Sequence, residues 1–498
     1  MSDSARRWFV AALLGAALHA HAAGPAAPAA VIGSLPRDVQ RALAGSGLPL
    51  ASFGLYVQPV DGRDPVATLN AESPYVLAST AKIVTSLAAL DLLGPQYRWR
   101  THAYATGPVY LGRLQGDLII AGGGNARLSS AELLGWMRRM REQGLAEIGG
   151  DILIDRSAFA LTDEDHRHTP VPGAGRPHHV WPGALTLDEG VLHVRLQSRS
   201  DGPRQPAADV QTVPPLDGVP MLVKVSSGNA CSAQARWTAG NGAPAQLVVE
   251  GRWAPRCGAR DLMLVAPPEV DVMPNAVVGL WREAGGVLHG RVREIDLSRR
   301  SRDGDRLPVP EAGGEPLSPW STHVSEPLPV LLRDMNKRSN NLAARHLMLS
   351  MARGFPLKPA SLPAAQSRVL GWLERQGLAA GDLTLENGSG LSREERGKPR
   401  ALVQLLLNAW RSREWPTFID SLPVAGVDGT LQHRLQRGLA AGRAYLKTGT
   451  LLDTRALAGY VQGASGRLYA VAALVNHPEA ARGTPALDAL IEWVARNG

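Results

Sequence analysis

The sequence predicts an α+β fold, in which helices cover an antiparallel sheet. Toward the C-terminus, residues 455–462 and 468–476 have strand composition and are joined by a short turn at 464–466. The pair Thr484-Pro485 then begins a helix, because proline is favoured at the first helical position. Two strands in a hairpin followed by a helix indicate a helical layer packed on a sheet.

The other elements agree with this class when they are taken in chain order. A hairpin is predicted over 51–69, and a helix over 79–93, where apolar residues recur at helical spacing. Further strands are predicted at 116–120, 151–154, 191–196, 221–225, 246–250, 262–265 and 443–447, and further helices at 131–143, 276–283, 327–335, 341–351 and 363–376. Residues 163–188 and 198–219 are rich in Pro, Gly and His and are predicted loops.

The composition fits a globular protein of several domains. The chain has 498 residues, of which 44% are apolar and 20% are charged. At roughly 100–200 residues per domain, this length gives two to four domains. Lysine and arginine exceed aspartate and glutamate by 53 − 45 = 8, which favours anionic surroundings. No dinucleotide- or phosphate-binding glycine motif follows a predicted strand, so no nucleotide cofactor is expected.

The first 23 residues have the pattern of a cleavable secretory signal. Arg6 and Arg7 form a basic start, and residues 8–18 are an apolar run. As a helix this run reaches only about 16 Å, too short for the roughly 30 Å hydrocarbon core of a membrane. Residues 20–22, Ala-His-Ala, form a small-x-small cleavage pattern. We therefore predict an exported, periplasmic protein without a membrane span in its mature form; an uncleaved anchor is the alternative.

Export changes the interpretation of the two cysteines, Cys231 and Cys257. In an oxidising compartment they can form a disulfide, whereas two unpaired thiols are the alternative. Both flank predicted strands, so a bond between them would staple a β-rich subdomain. No Cys or His spacing typical of structural zinc is present, and the histidines between 166 and 179 lie in predicted loops, so no metal site is predicted.

The first motif that carries chemistry is Ser79-Thr80-Ala81-Lys82, at the start of a predicted helix. Residues three apart share a helix face, so the hydroxyl and the amine would meet there. Serine becomes a good nucleophile only when a base takes its proton. Lysine can be that base only if burial or neighbouring cations lower its pKa from about 10.4. Taken alone, the pattern is more typical of a capping serine and a solvated lysine.

A second motif, Ser339-Asn340-Asn341, lies where another predicted helix begins. Ser339 could relay protons, and Asn341 could hydrogen-bond both Lys82 and a substrate amide. The bare S-x-N pattern is too common to carry information by itself.

A third motif, Lys447-Thr448-Gly449-Thr450, ends a predicted edge strand. Its lysine and threonine could hold a substrate carboxylate, and Gly449 would let a substrate backbone approach closely. An extended peptide could then pair with the edge of the sheet. The three motifs in this order, each in its expected structural setting, form a specific combination.

In these motifs the chain resembles the serine penicillin-recognising enzymes. Lys82 and Ser339 are 339 − 82 = 257 positions apart, far more than in the compact β-lactamases. This large insertion resembles that of the class C low-molecular-mass penicillin-binding proteins, the D-alanyl-D-alanine carboxypeptidase/endopeptidase family. Further stretches similar to that family lie at 116–124, 149–159, 388–393 and 422–431.

The resemblance implies a transpeptidase/β-lactamase-like domain, with helices packed on a five-stranded antiparallel sheet, and two nested β-rich inserted domains. On this basis residues 34–100 and 318–498 form the catalytic domain. Residues 101–185 and 263–317 form an inserted second domain. Residues 186–262 form a third domain nested in the second, and both cysteines would lie in it.

The same resemblance implies a serine DD-peptidase that acts on peptidoglycan stem peptides and is acylated by β-lactams such as penicillins. Ser79, deprotonated by Lys82, would attack the carbonyl of the penultimate D-Ala. The backbone N–H groups of Ser79 and Thr450 would form the oxyanion hole. Ser339 would pass a proton to the leaving amine, and Asn341 would orient Lys82.

Substrate recognition follows from the resemblance as well. Lys447 and Thr448 would bind the terminal carboxylate. Four further residues would surround the free end of a diaminopimelate side chain, which would also allow cleavage of D-Ala-diaminopimelate cross-links: Asp155, Phe159, Arg393 and Leu451. Asp155 and Arg393 could instead form a structural ion pair, and Leu451 could serve packing alone.

The chain departs from the family at three positions. Asn125, Asn340 and Asn387 stand where the resemblance suggests aspartate. The rival interpretations are a β-lactamase and a catalytically impaired peptidoglycan-binding protein. No nucleic-acid partner is expected, the basic stretch at 291–306 could contact an anionic wall or lipid, and the oligomeric state stays open.

Overall fold

The computed structural model of the chain describes residues 35–167, 179–199, 207–240, 243–268, 270–300, 311–312 and 315–498. The predicted signal segment at 1–23 lies outside these residues, as does part of the basic stretch at 291–306. Within that stretch the Nε of Arg293 donates to the carboxylate of Asp151 at 2.6 Å, so this arginine forms an ion pair inside the protein. None of the described helices is both long and apolar enough to cross a membrane.

The helices among the described residues begin and end close to the predicted positions where a prediction was made. In chain order they are α1 (Arg37–Ser46), α2 (Ala81–Leu93), α3 (Ser130–Glu142), α4 (Met273–Glu283), α5 (Leu328–Arg338), α6 (Asn341–Ser350), α7 (Leu362–Arg375), α8 (Pro399–Trp410), α9 (Trp415–Ser421) and α10 (Thr484–Asn497). The helices α1, α8 and α9 were not predicted.

The strands are shorter and more numerous. In chain order they are β1 (Phe53–Pro59), β2 (Ala67–Leu69), β3 (Tyr75–Val76), β4 (Arg100–Ala105), β5 (Val109–Tyr110), β6 (Arg113–Leu114), β7 (Leu118–Ala121), β8 (Glu147–Ile148), β9 (Ile152–Asp155), β10 (Val191–Ser198), β11 (Ala208–Val213), β12 (Met221–Ser227), β13 (Gln234–Gly240), β14 (Ala243–Trp253), β15 (Ala259–Val265), β16 (Val287–Leu288), β17 (Val292–Ile295), β18 (Glu311–Ala312), β19 (Glu315–Pro316), β20 (Ser321–Val324), β21 (Leu383–Thr384), β22 (Arg396–Gly397), β23 (Ala444–Leu451), β24 (Thr454–Gln462) and β25 (Leu468–Asn476). The predicted loop at 198–219 is wrong over β11, which pairs with β10.

The C-terminal strands build the sheet on which the predicted fold class depends. Its strand order is β2-β1-β25-β24-β23, and every neighbouring pair is antiparallel. The predicted five-stranded antiparallel sheet in an α+β fold is thus confirmed, and β23, which carries the K-T-G motif, is an edge strand.

Helices cover both faces of this sheet. Along β25, Ala470, Ala472 and Leu474 pack in the cluster that contains α2 and the helices from α5 to α9. The alternate residues pack in the cluster that contains α1 and α10. Because side chains alternate between the faces of a strand, a strand that is apolar at nearly every position needs cover on both sides.

The inserted region contains a second five-stranded sheet, of order β17-β9-β7-β4-β20. The helices α3 and α4 pack with it around a separate apolar cluster. Its last strand, β20, lies beyond the predicted boundary at 317, yet it pairs with β4. A four-stranded sheet of order β16-β8-β6-β5 adjoins it.

Two three-stranded sheets, β11-β10-β15 and β12-β14-β13, share a further apolar cluster between residues 191 and 265. The predicted disulfide is confirmed, because Cys231 and Cys257 are bonded, with 5.8 Å between their Cα atoms. The bond connects the chain after β12 to the turn after β14, so it staples the β-rich module as expected.

We expect loss of this disulfide to loosen that module selectively. It closes a loop across 26 positions. Chain-entropy arithmetic for such a length gives about 3–4 kcal/mol of stabilisation. The double change Cys231→Ser and Cys257→Ser should therefore accelerate amide hydrogen exchange in β12 and β14. Exchange in α2 serves as the internal control, and equal acceleration there would contradict a local effect.

Candidate active site

A strained turn presents Ser79 at the start of α2. Residues 78–80 form a 3-10 turn that runs directly into the helix. Ala78 has φ 45°, a conformation that residues with a Cβ rarely adopt. Gly390 packs on this turn so closely that a Cβ at Gly390 would lie 1.9 Å from the Ala78 carbonyl oxygen. The strained turn is thus fixed from outside, which is typical of functional positions.

The amine of Lys82 lies at the centre of the site. The residue is fully buried. Its Nζ donates to Asn341 Oδ1 at 2.7 Å and to the carbonyl of Ser389, and it lies 3.0 Å from Ser79 Oγ. Every described partner is neutral, so nothing in direct contact neutralises a positive charge on Lys82.

The surroundings lower the pKa of Lys82 well below its usual value. Burial is the largest cause, the nearby cation of Lys447 is the next, and Arg345 acts in the same direction. The buried carboxylate of Glu395 opposes them. A lysine kept neutral in this way can accept the proton of the Ser79 hydroxyl.

A second serine–lysine pair lies beside the first. Helix α5 ends at Arg338, its C-cap Ser339 has the left-handed conformation, and α6 begins two residues later at Asn341. The Nζ of Lys447 donates to Ser339 Oγ at 2.9 Å and to the carbonyl oxygen of Thr448 at 2.9 Å. The break between two helices therefore brings the S-x-N motif to both lysines.

Lys447 is also fully buried, and burial lowers its pKa to about 7. Burial thus makes the charged form of this amine much less favourable than in water. A carboxylate arriving next to it would stabilise the charged form. The hydroxyl of Thr448 lies 2.7 Å from that of Thr430 on the accessible side of the same strand.

Gly449 has a packing role in addition to the one predicted from the sequence. A Cβ at Gly449 would lie 2.9 Å from the carbonyl oxygen of Leu77 and 3.1 Å from the Cβ of Ala78. The backbone that approaches this glycine is therefore the turn that carries Ser79. The structure explains Gly449 by contact between two motifs, without a substrate.

Two of the predicted diaminopimelate contacts have other partners. The carboxylate of Asp155 is buried and accepts hydrogen bonds from the backbone N–H groups of Ser157 and Leu297. The ring of Phe159 packs edge-on against His346, with 5.2 Å between ring centroids. Phe159 thus joins the inserted region to α6, whereas both of these partners of Asp155 lie within the inserted region.

The other two lie near the end of β23. Arg393 forms an ion pair with Asp453 at 3.1 Å, and both side chains are nearly half exposed. Leu451 is the last residue of β23 and is partly buried. The structural ion pair predicted for Arg393 thus exists, but its partner is Asp453 instead of Asp155.

The geometry joins S-x-x-K, S-x-N and K-T-G in one site, although 257 positions separate Lys82 from Ser339. Among known families, the sequence profile of the D-Ala-D-Ala carboxypeptidase 3 (S13) family matches residues 35–497. The chain belongs to this family. It is therefore a serine-type peptidase, which is a hydrolase.

Individual relatives agree with this membership of the S13 family. The chain is 25% identical over 438 residues to the D-alanyl-D-alanine carboxypeptidase DacB of Haemophilus influenzae, covering 86% of this chain and 85% of the relative. It is 26% identical over 454 residues to a D-alanyl-D-alanine carboxypeptidase of an Actinomadura species, covering 87% and 79%.

The fold is similar to that of penicillin binding protein 4 from Haemophilus influenzae. The TM-score is 0.68 at 23% identity, with 89% of this chain and 96% of that chain covered. The same protein, complexed with a novel β-lactam, gives a TM-score of 0.64. At this identity the likeness concerns the fold alone.

The three asparagines that stand in place of aspartates share one local role. Asn340 Oδ1 accepts from the backbone N–H of Ala343 and caps α6. Asn125 Oδ1 accepts from the N–H of Arg127, and Asn387 Oδ1 accepts from that of Ser389. Asparagine and aspartate make such bonds equally well, so the replacement removes a charge and keeps the hydrogen bond.

We expect Asn340→Asp to change the pH dependence of the site and to leave its stability nearly unchanged. Aspartate also caps helices, whereas Asn340→Ala should lower the free energy of unfolding by about 1 kcal/mol. A carboxylate between Ser339 and Asn341 would raise the pKa of the nearby lysines. The rate of acylation by penicillin should then need a higher pH to reach its maximum. An unchanged pH profile would contradict this electrostatic role.

Sequence reasoning did not find Glu395, which organises the loop beside Lys82. The residue is fully buried, and its carboxylate accepts from the backbone N–H groups of Glu386, Asn387, Gly388 and Gly390. Burial raises the pKa of Glu395, and these bonds oppose that change. In the sequence it stands among charged neighbours and is indistinguishable from a solvated glutamate.

Proposed function

We propose that the chain is a periplasmic DD-peptidase that hydrolyses the D-Ala-D-Ala terminus of peptidoglycan stem peptides. We extend the proposal to D-Ala-diaminopimelate cross-links and to acylation by penicillins. The observation that carries it is the pair of buried lysines, each within hydrogen-bond distance of a serine hydroxyl: Lys82 at 3.0 Å from Ser79 and Lys447 at 2.9 Å from Ser339.

The proposed reaction begins at Ser79. Neutral Lys82 takes the hydroxyl proton as the oxygen attacks the carbonyl carbon of the penultimate D-Ala. The backbone N–H groups of Ser79 and Thr450 receive the developing oxyanion, an effect typically worth a few kcal/mol. Ser339 relays to the leaving amine the proton that Lys82 took, so D-Ala departs with Lys82 neutral again. Water then hydrolyses the ester, giving its hydroxyl to the acyl group and a proton back to Ser79.

The proposed carboxylate site is on β23. Lys447 and Thr448 would hold the terminal carboxylate of the peptide, and Asn341 would keep the Lys82 amine in position. The pKa of Lys447 near 7 supports this role, because an arriving carboxylate would draw a proton onto it. Pro423 and Ala425 already pair with the start of this edge at Leu446 and Ala444, so an extended peptide would add along its K-T-G end.

For diaminopimelate we propose Arg393 and Leu451 as neighbours of the side chain, with Asp453 beside Arg393. Asp155 and Phe159 stay in the proposal as well, with their side chains held by backbone N–H groups and by packing on His346. The domain division predicted from the sequence stays part of the proposal, as does the periplasmic location, which depends on the signal pattern at 1–23.

Labelling with a fluorescent penicillin tests the proposal on the unmodified chain. A stable adduct that maps to Ser79 is expected. A transient adduct would indicate a β-lactamase, and no adduct would indicate a wall-binding protein. Separate assays with a stem pentapeptide and a cross-linked dimer then measure carboxypeptidase and endopeptidase activity. Turnover of neither substrate by a chain that penicillin labels would contradict the peptidase.

A further inference from the structure

The turn between β5 and β6, in the inserted region, contains a residue that is unusual for its backbone conformation. Leu111 and Gly112 form a two-residue connection, flanked by the paired residues Tyr110 and Arg113. Both connecting residues have positive φ, 47° for Leu111 and 81° for Gly112. Tight hairpins of this kind favour Asn-Gly, whereas a branched apolar residue rarely adopts positive φ. Leucine is therefore an unfavourable choice for the turn itself.

The same turn carries two large apolar side chains in solvent. Leu111 is 88% exposed and Tyr110 is 68% exposed. Leu114, on the strand that follows, is fully buried in the core of the inserted region. The carbonyl oxygen of Gly112 accepts from the backbone N–H groups of Ala146 and Glu147, at 2.7 and 2.9 Å. The hairpin is thus firmly held, while its tip projects.

A cationic side chain lies beside the tip, since Arg113 is exposed opposite Tyr110. Glu147, next to Arg113 across the sheet, is paired with His289 at 2.9 Å.

We propose that this tip inserts into the surface of an anionic phospholipid bilayer. Two projecting side chains are far too few for a specific protein interface, which buries roughly 1,200–2,000 Å². A bilayer needs only shallow apolar insertion together with attraction of basic side chains to its headgroups. Tyrosine favours the interfacial layer, and the chain carries a net charge of +8. The inference concerns attachment and is independent of the proposed peptidase activity.

Co-sedimentation with vesicles tests the proposal on the purified full chain. Vesicles of phosphatidylglycerol with phosphatidylcholine should bind it, and phosphatidylcholine alone should bind it much less. Leu111→Ala should weaken binding about tenfold, because one large apolar side chain no longer leaves water. The matched control is Leu357→Ala, which truncates a leucine that is 70% exposed between α6 and α7. All variants carry the same N-terminus, so the apolar run at 8–18 contributes equally.

Leu111→Asn separates this role from a structural one. Asparagine suits the turn, so the variant should unfold at a higher temperature than the unmodified chain and yet lose vesicle binding. Unchanged binding by both Leu111 variants would overturn the proposal. So would equal binding to both kinds of vesicle, or a dimer of the free chain that disappears in Leu111→Asn. Penicillin labelling of each variant reports separately on the peptidase site.

Discussion

We expect Ser79→Ala to abolish the covalent penicillin adduct completely and to leave the fold intact. The hydroxyl is the only group lost, and its truncation at a partly exposed position opens no core cavity. Intact-mass measurement after penicillin treatment should show the unmodified mass. Thermal unfolding of the variant should match that of the parent, because Ser79 Oγ contributes one hydrogen bond with Lys82.

The matched control for this experiment is Ser339→Ala. The site holds two serine–lysine pairs. The distance from Lys447 Nζ to Ser339 Oγ is 2.9 Å, close to the 3.0 Å from Lys82 Nζ to Ser79 Oγ. If Ser339 were the nucleophile, its removal would abolish the adduct and Ser79→Ala would not. We expect Ser339→Ala to slow labelling while the adduct still forms.

Position relative to the helices favours Ser79 as the nucleophile. Ser79 lies just before the first turn of α2, where the helix dipole stabilises negative charge on a developing alkoxide or oxyanion. Ser339 also lies two residues before a helix, α6, but it is at the same time the C-terminal cap of α5, so the two helix dipoles oppose each other there. An adduct that persists in Ser79→Ala would show that this electrostatic argument picks the wrong serine.

The sequence was informative where one physical pattern dominated. The strands β24 and β25 are long, apolar and joined by a short turn, so both the hairpin and its helix α10 could be predicted. The three motifs could be placed because S-x-x-K depends on helix spacing and K-T-G on a strand edge. The sequence could not give the distances between the side chains of the three motifs, because they are far apart along the chain. The folded sheet and the break between α5 and α6 bring these side chains together.

Some elements were missed although a pattern was present. In α8 the partly buried polar residues Arg400, Gln404 and Asn408 recur every fourth position among buried apolar ones, a helical spacing that the sequence reasoning overlooked. The buried charges of Glu395 and Arg345 were missed for a different reason. Charged residues are almost never fully buried, and only tertiary contacts reveal these exceptions.

The second large effect is expected at Lys447. Lys447→Ala removes the cation proposed to hold the carboxylate of penicillin or of the terminal D-Ala. The acylation rate should fall by roughly two to three decades if the lost contact is worth about 3–4 kcal/mol in the transition state. Lys447→Arg keeps a charge with a different shape and should lose less. Both rates can be measured by stopping the reaction with penicillin at successive times and determining the fraction of adduct by intact-mass spectrometry.

The pKa of Lys447, near 7, predicts opposite effects of pH on its two roles. Above that pH the amine loses its proton, so anchoring of a carboxylate should weaken as pH rises. The Lys447 cation also lowers the pKa of Lys82, so its removal should raise that pKa and shift the Lys82-dependent rise in rate to higher pH. For a substrate without a carboxylate, only the protonation of Lys82 limits the Lys447→Ala variant. Raising the pH should therefore restore its acylation rate to nearly that of the parent.

A carboxylate-free ester distinguishes the two roles of Lys447. With such an ester, Lys447→Ala should shift the pH profile upward but reach nearly the parental maximum, because no carboxylate is bound. With penicillin, the deficit of two to three decades should remain at pH values where the parental Lys447 is protonated, and it should narrow as that amine loses its proton. If the ester's maximum falls as far as that of penicillin, Lys447 does not act as a carboxylate anchor. Its charge would then act chiefly on the Ser79–Lys82 pair, and the carboxylate would have to be held by the Thr430–Thr448 hydroxyl pair on the same edge.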